Sequence, residues 1–128
     1  MFTRYTFAGL SAAFVICLLV QIFMAGMAIF VHPNNWVRHV TFIHFFEILP
    51  LLMLVFGWLG KLPKQLLWQS AGLFGLIFLQ YFTANIRAVI PLAAAAHPVT
   101  ALPLIGLAFV VMREAWKITK DRRSARKP

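Results

Sequence analysis

Residues 7–31 read FAGLSAAFVICLLVQIFMAGMAIFV, without a single charged side chain. About 20 apolar residues are enough for a helix to cross ~30 Å of hydrocarbon. This run therefore points to an integral membrane protein before anything else is read. Met1-Phe2-Thr3-Arg4 ahead of it mimics the start of a secretory signal. The run is longer than the roughly 7–15 apolar residues of a signal core, so it reads as an uncleaved first transmembrane helix. Three further apolar spans follow at about 40–60, 66–86 and 99–116. Backbone polar groups in lipid must be satisfied within the segment, which makes each span a helix. The expected fold is an all-α integral membrane protein, a four-helix transmembrane bundle occupying residues 1–116. A basic tail covers 117–128.

Composition agrees with that reading. The 128 residues are 62% hydrophobic, with mean hydropathy +0.84, and only 12% are charged. No soluble stretch is long enough to bury a core of its own. The chain carries 12 Lys+Arg against 3 Asp+Glu, but seven of the basic residues fall between Arg113 and Lys127, directly after the last span. A cluster placed there reads as an orientation signal and a contact for anionic lipid, not as a nucleic-acid surface. Cys17 is the only cysteine, so no internal disulfide or cysteine-pair metal site can form.

The turns divide the charges. His32-Pro33-Asn34-Asn35-Trp36 breaks the chain after the first span, and Lys61-Leu62-Pro63-Lys64 makes a tight basic turn after the second. The Arg87–Ala96 connection is longer and contains Pro91 and an alanine run that suits a short helix. Arg4, Lys61, Lys64 and the seven tail residues lie on one side, and Arg38 and Arg87 on the other. The positive-inside rule then puts both termini in the cytoplasm. His32, His39, His44 and His97 all fall in the outer half or its loops.

His44 heads the string H-x4-L-P, ending at Leu49-Pro50. The same string recurs 53 residues later from His97 to Leu102-Pro103. Gln21 and Gln80 supply a second recurrence, Q-x-F-x-A. Together they suggest a duplicated helical hairpin, its halves related by an axis along the membrane normal. Ionisable groups at membrane depth are expensive and usually functional. His44 and His97, facing one another across the bundle, are expected to be the axial ligands of a haem b. Arg38 and Arg87 are expected to pair with its propionates, and Glu47 or Gln21 to orient a ligand imidazole. Gln21 and Gln80 also suit interhelical hydrogen bonds. Other readings of the same residues stay open. Glu47 and His44 share a helix face, so a structural hydrogen bond would suffice. A non-haem metal could use His44, Glu47 and His97 with His39 or His32. A quinone could hydrogen-bond His44 and Gln80.

Across about Leu18 to Met112 the chain resembles a small, largely uncharacterised family of bacterial four-helix membrane proteins. The resemblance rests on Gln21-Ile22-Phe23-Met24-Ala25-Gly26, His44 with Leu49-Pro50-Leu51-Leu52, and Gly60-Lys61-Leu62-Pro63. It also rests on Leu79-Gln80, and above all on His97-Pro98-Val99-Thr100-Ala101-Leu102. Members of that family carry Asn where this chain has Thr100, and the resemblance implies no activity. In plan the chain is also similar to membrane b-type cytochromes. It lacks the pair of histidines on each of two helices that a two-haem carrier would need.

The expected function is a small b-type haem protein of the bacterial cytoplasmic membrane, acting in electron transfer, redox sensing or haem handling. The alternative is a non-enzymatic accessory or assembly subunit of a larger membrane complex of the respiratory type. The expected partners are the lipid bilayer, and either such a complex or a second copy in a homodimer, with no nucleic acid. No catalytic set of residues is present: there is no Ser/His/Asp arrangement, phosphate loop or carboxylate pair.

Overall fold

In the computed structural model, residues 2–124 are described, with side chains as far as Asp121. The part of the expected basic tail at 125–128 lies outside the described residues. All regular structure among the described residues is helical. α1 runs Phe2–Phe30, α2 Asn35–Phe46, α3 Leu49–Leu59, α4 Lys64–Asn85, α5 Pro91–Ala95 and α6 His97–Ser124. A 3-10 turn, Ile86–Ala88, leads from α4 towards α5. Four helical units are long and apolar enough to cross a membrane: residues 2–30, 35–59, 64–88 and 91–121. The chain thus has the make-up of a multi-pass membrane protein.

The helices extend past the expected spans because hydropathy marks only the lipid-crossing part. Arg, Lys and Glu are good helix formers, so α6 carries on through the first residues of the basic segment. α2 begins at Asn35 instead of 40, taking Trp36, Arg38 and His39 into the helix. The second span is not one straight helix. Pro50 has no N–H to give the Phe46 carbonyl, and its ring crowds that carbonyl. The ladder breaks at Glu47-Ile48 and restarts as α3 with Pro50 in its first turn. Pro103, by contrast, lies inside an uninterrupted α6. The two Leu-Pro pairs therefore play different parts.

Each span packs on its chain neighbours, and α6 closes the ring against α1. The buried stripe of α1 is Phe7, Ser11, Phe14 and Leu18. That of α4 is Leu66, Ser70, Leu73 and Ile77. Steps of four, three and four residues keep one face of a 3.6-residue helix turned inward. Each α4 residue follows its α1 counterpart by 59 positions, and so does Gln80 follow Gln21. In the second span Phe46, Pro50, Met53 and Gly57 are buried. In α6 it is Leu104, Ala108, Val111 and Ala115, each 58 positions on. The buried faces thus repeat from one hairpin to the next.

The buried hydroxyls are satisfied within their own helices: Ser11 donates to Ala8, Ser70 to Leu66 and Thr119 to Ala115. Phe2 and Ser124, the first and last described residues, lie at one end of the bundle. There Arg4 donates from Nε to the Gly60 carbonyl at 2.9 Å and from its guanidinium to Lys61 at 3.2 Å. Lys61 takes a left-handed conformation in this turn, with φ 47°. Outward-facing Ile16, Phe23, Ile29, Val55, Phe78 and Phe109 are exposed, a surface suited to lipid.

Candidate functional site

In the half of the bundle away from the termini, two histidines are held in the same way. His39 Nδ1 lies 3.0 Å from the main-chain oxygen of Gln21, across the first hairpin. His97 Nδ1 lies 3.1 Å from the main-chain oxygen of Gln80, across the second. A carbonyl oxygen only accepts, so each bond requires the proton to sit on Nδ1. In the neutral ring Nε2 is then left with a bare lone pair. Both rings are half-buried, and they stand within Coulombic range of each other.

The expected equivalence of His44 with His97 is corrected by this geometry. The Gln21–His39 separation is 18 residues and the Gln80–His97 separation 17. The 58-residue step that superimposes the buried stripes also carries His39 onto His97. On that register His44 falls on Leu102. The H-x4-L-P string, with its 53-residue step, relates residues on different helix faces. Its two prolines are unlike in structure, one restarting a broken helix and one inside a continuous helix.

Supporting groups surround the pair. Gln21 also donates from Nε2 to the His39 carbonyl at 2.8 Å, so α1 and α2 are tied twice. The expected interhelical role of Gln21 is thereby met. Its Oε1, and both amide atoms of Gln80, are buried without a hydrogen-bond partner among the described residues. Thr83, which bonds the Leu79 and Gln80 carbonyls of its own helix, places Oγ1 3.1 Å from His97 Nδ1. Trp36 packs edge-on against His39 with ring centroids 5.5 Å apart. Arg38 and Arg87 are exposed, the first next to His39 and the second in the 3-10 turn after α4.

His44 and Glu47 belong to a different cluster. Tyr81 of α4 donates a short hydrogen bond to Glu47 Oε2. His44 Nδ1 lies 3.1 Å from the Tyr81 oxygen and 3.4 Å from Glu47 Oε1. The His44 and Tyr81 rings stack at 5.9 Å and 24°. His44 and Glu47 lie three residues apart at the end of α2, and both tie the second span to α4 through Tyr81. Neither hydrogen-bonds to His97.

Among the described residues no group of three or more His, Cys, Asp or Glu converges on a metal ion. The non-haem site of His44, Glu47 and His97 with His39 or His32 is therefore not assembled. His32 is exposed in the first turn, where Nδ1 accepts from the Asn34 N–H at 3.2 Å.

Residues 21–87 match a family of unknown function, DUF6220, over just over half of the chain. The chain belongs to that family. The matched stretch runs from Gln21 to Arg87 and takes in His39, His44, Glu47, Gln80 and Tyr81. Comparison with curated proteins and with solved structures gives no match.

Tyr81, Thr83 and the leading part of His39 were not visible from local motifs. Glutamine-to-histidine intervals of 18 and 17 residues in the two hairpins were the available signal for His39. Tyr81 carried none, since it meets Glu47 across 34 residues of chain.

Proposed function

We propose that this protein is a small membrane b-type haem protein, with His39 and His97 as the axial ligands, acting in electron transfer, redox sensing or haem handling. One observation carries the reading: two histidines, at equivalent places in two hairpins, each give Nδ1–H to a glutamine carbonyl and keep Nε2 bare. Metal-bound imidazoles are oriented in this way, the second nitrogen held by a carbonyl or carboxylate. A haem brings four nitrogens of its own, so two protein ligands suffice, and the lack of a three-residue cluster is no obstacle. The donor set therefore fits the group. The unpartnered Gln21 Oε1 and Gln80 amide supply polar atoms beside the pair. Arg38 and Arg87, exposed near the same end, suit the two propionates.

A haem held by His39 and His97 would supply one-electron chemistry. The remaining work belongs to the protein. Gln21 and Gln80 fix the rotation of the two rings through their carbonyls, and Thr83 limits the motion of His97. The reading extends to orientation. With ten basic residues at the end holding the termini and two at the other, both termini are cytoplasmic and the histidine pair lies in the outer half of a bacterial inner membrane.

The test is a visible spectrum of the full chain purified from a haem-replete host, with a pyridine haemochrome count. About one haem per chain, with a Soret band and sharp α/β bands on reduction, is expected. A colourless preparation would overturn the reading and favour an accessory subunit.

A further inference from the structure

The cluster of His44, Glu47 and Tyr81 breaks the internal repeat. At the corresponding places of the other hairpin pair stand Leu102, Ile105 and Ile22. Ile22 and Leu102 are 50% and 67% exposed, as side chains turned to lipid would be. The polar counterparts sit on the equivalent surface, between the second span and α4. There the His44 side chain is 56% exposed and that of Glu47 36%. Glu47 is at the midpoint of the 35–59 span, about 18 Å of helix from either end at 1.5 Å per residue. Ionisable groups at that depth normally face the bundle interior or a polar partner. These pair with one another, but they do so on the outward surface, and the outer edge of the His44 ring is left facing the lipid side.

The proton positions say which kind. Tyr81 has one hydroxyl proton, and Glu47 Oε2 takes it. With Glu47 ionised, His44 Nδ1 then faces two acceptors, the Tyr81 oxygen and Glu47 Oε1, and carries the proton. The free edge of the neutral imidazole is therefore a bare Nε2, an acceptor that selects a hydroxyl donor. Phe78, one turn from Tyr81 on the same face of α4, is 63% exposed, and Ile48, next to Glu47, 47%. They give the cluster an apolar border that suits a ring.

We propose that this face binds the head group of a lipid-soluble quinol, one ring hydroxyl donating to His44 Nε2 while Glu47 and Tyr81 hold the imidazole in place. The site is independent of the haem reading, although Tyr81 directly follows Gln80, whose carbonyl anchors His97.

The test uses the full chain with 15N-labelled histidine in lipid nanodiscs, titrated anaerobically with decyl-ubiquinol. The control is the same compound with both hydroxyls methylated. The His44 signals are identified by their loss in His44→Gln. A saturable shift of His44 Nε2 with the quinol and none with the methylated control is expected. Tyr81→Phe, checked for native helix content, should weaken binding roughly five- to tenfold, as loss of one hydrogen bond implies. Glu47→Gln, which keeps the shape, should weaken it in the same sense. His97→Ala should leave the shift in place, which separates this site from the haem. No shift, an equal response to the methylated compound, or a dimer that covers His44 and excludes the quinol would overturn the proposal.

Discussion

Replacing Gln80 with leucine should make the haem-free protein more stable, although it removes a polar group from a helix interface. Both amide atoms of Gln80 are buried and unpartnered among the described residues, and only its main-chain carbonyl is engaged, by His97. A buried unsatisfied polar group costs about 1–3 kcal/mol. In a membrane the unfolded reference is also poor in water, so the gain sits near the lower end, about 1 kcal/mol. Leucine has similar volume and keeps the main-chain carbonyl. Gln21→Leu makes the contrast. It relieves one unpartnered atom, Oε1, but gives up the 2.8 Å bond from Nε2 to the His39 carbonyl. Such interhelical bonds average about 0.6 kcal/mol and reach about 1.7, so the two effects nearly cancel. The assay is unfolding of haem-free protein in mixed micelles by a rising fraction of sodium dodecyl sulfate, followed by helical circular dichroism. Gln80→Leu should come out above wild type, and Gln21→Leu level with it or slightly below. If Gln80→Leu were less stable than wild type by about 1 kcal/mol or more, the amide would have a structural partner. The idea that the fold leaves it open for a ligand would then fail.

Three further outcomes follow from the same geometry. A reporter inserted next to Asn34 should read external and one fused after Ser124 cytoplasmic, while an external C-terminus would reverse the assignment of the histidine pair to the outer half. Leu73→Ala removes a fully buried side chain from α4 and should cost about 2–4 kcal/mol in the same unfolding assay; a cost below about 1 kcal/mol would contradict the packing. Arg4→Ala loses the bonds to Gly60 and Lys61 and should speed amide exchange in the α3–α4 turn without changing exchange at Gln80, which a uniform change would refute.

Hydropathy made the four spans readable because crossing lipid demands an apolar run of fixed length. It could not set their ends, since Trp36, Arg38 and His39 are polar or interfacial yet continue α2. The break at Glu47-Ile48 follows from Pro50, but Pro103 shows that the same dipeptide need not break a helix. The recurrence of the buried faces was signalled by Gln21 and Gln80. Its register was not, because H-x4-L-P is a local identity that ignores which face is buried. Only the stripes Phe46–Gly57 and Leu104–Ala115, compared as faces, bring His39 onto His97. The Tyr81–Glu47 contact depends on how α2 and α4 are rotated, which a single sequence does not encode locally.

In the proposed reading, His39 and His97 share one iron. Haem content and the reduced spectrum should be measured side by side for wild type, His39→Ala, His97→Ala and His44→Ala, each purified from the same haem-replete host. Wild type and His44→Ala should give the same low-spin spectrum with about one haem per chain. His39→Ala and His97→Ala should each lose the haem or turn high-spin. An unchanged spectrum in His39→Ala, together with loss in His44→Ala, would contradict the account and return the iron to the 53-residue pairing.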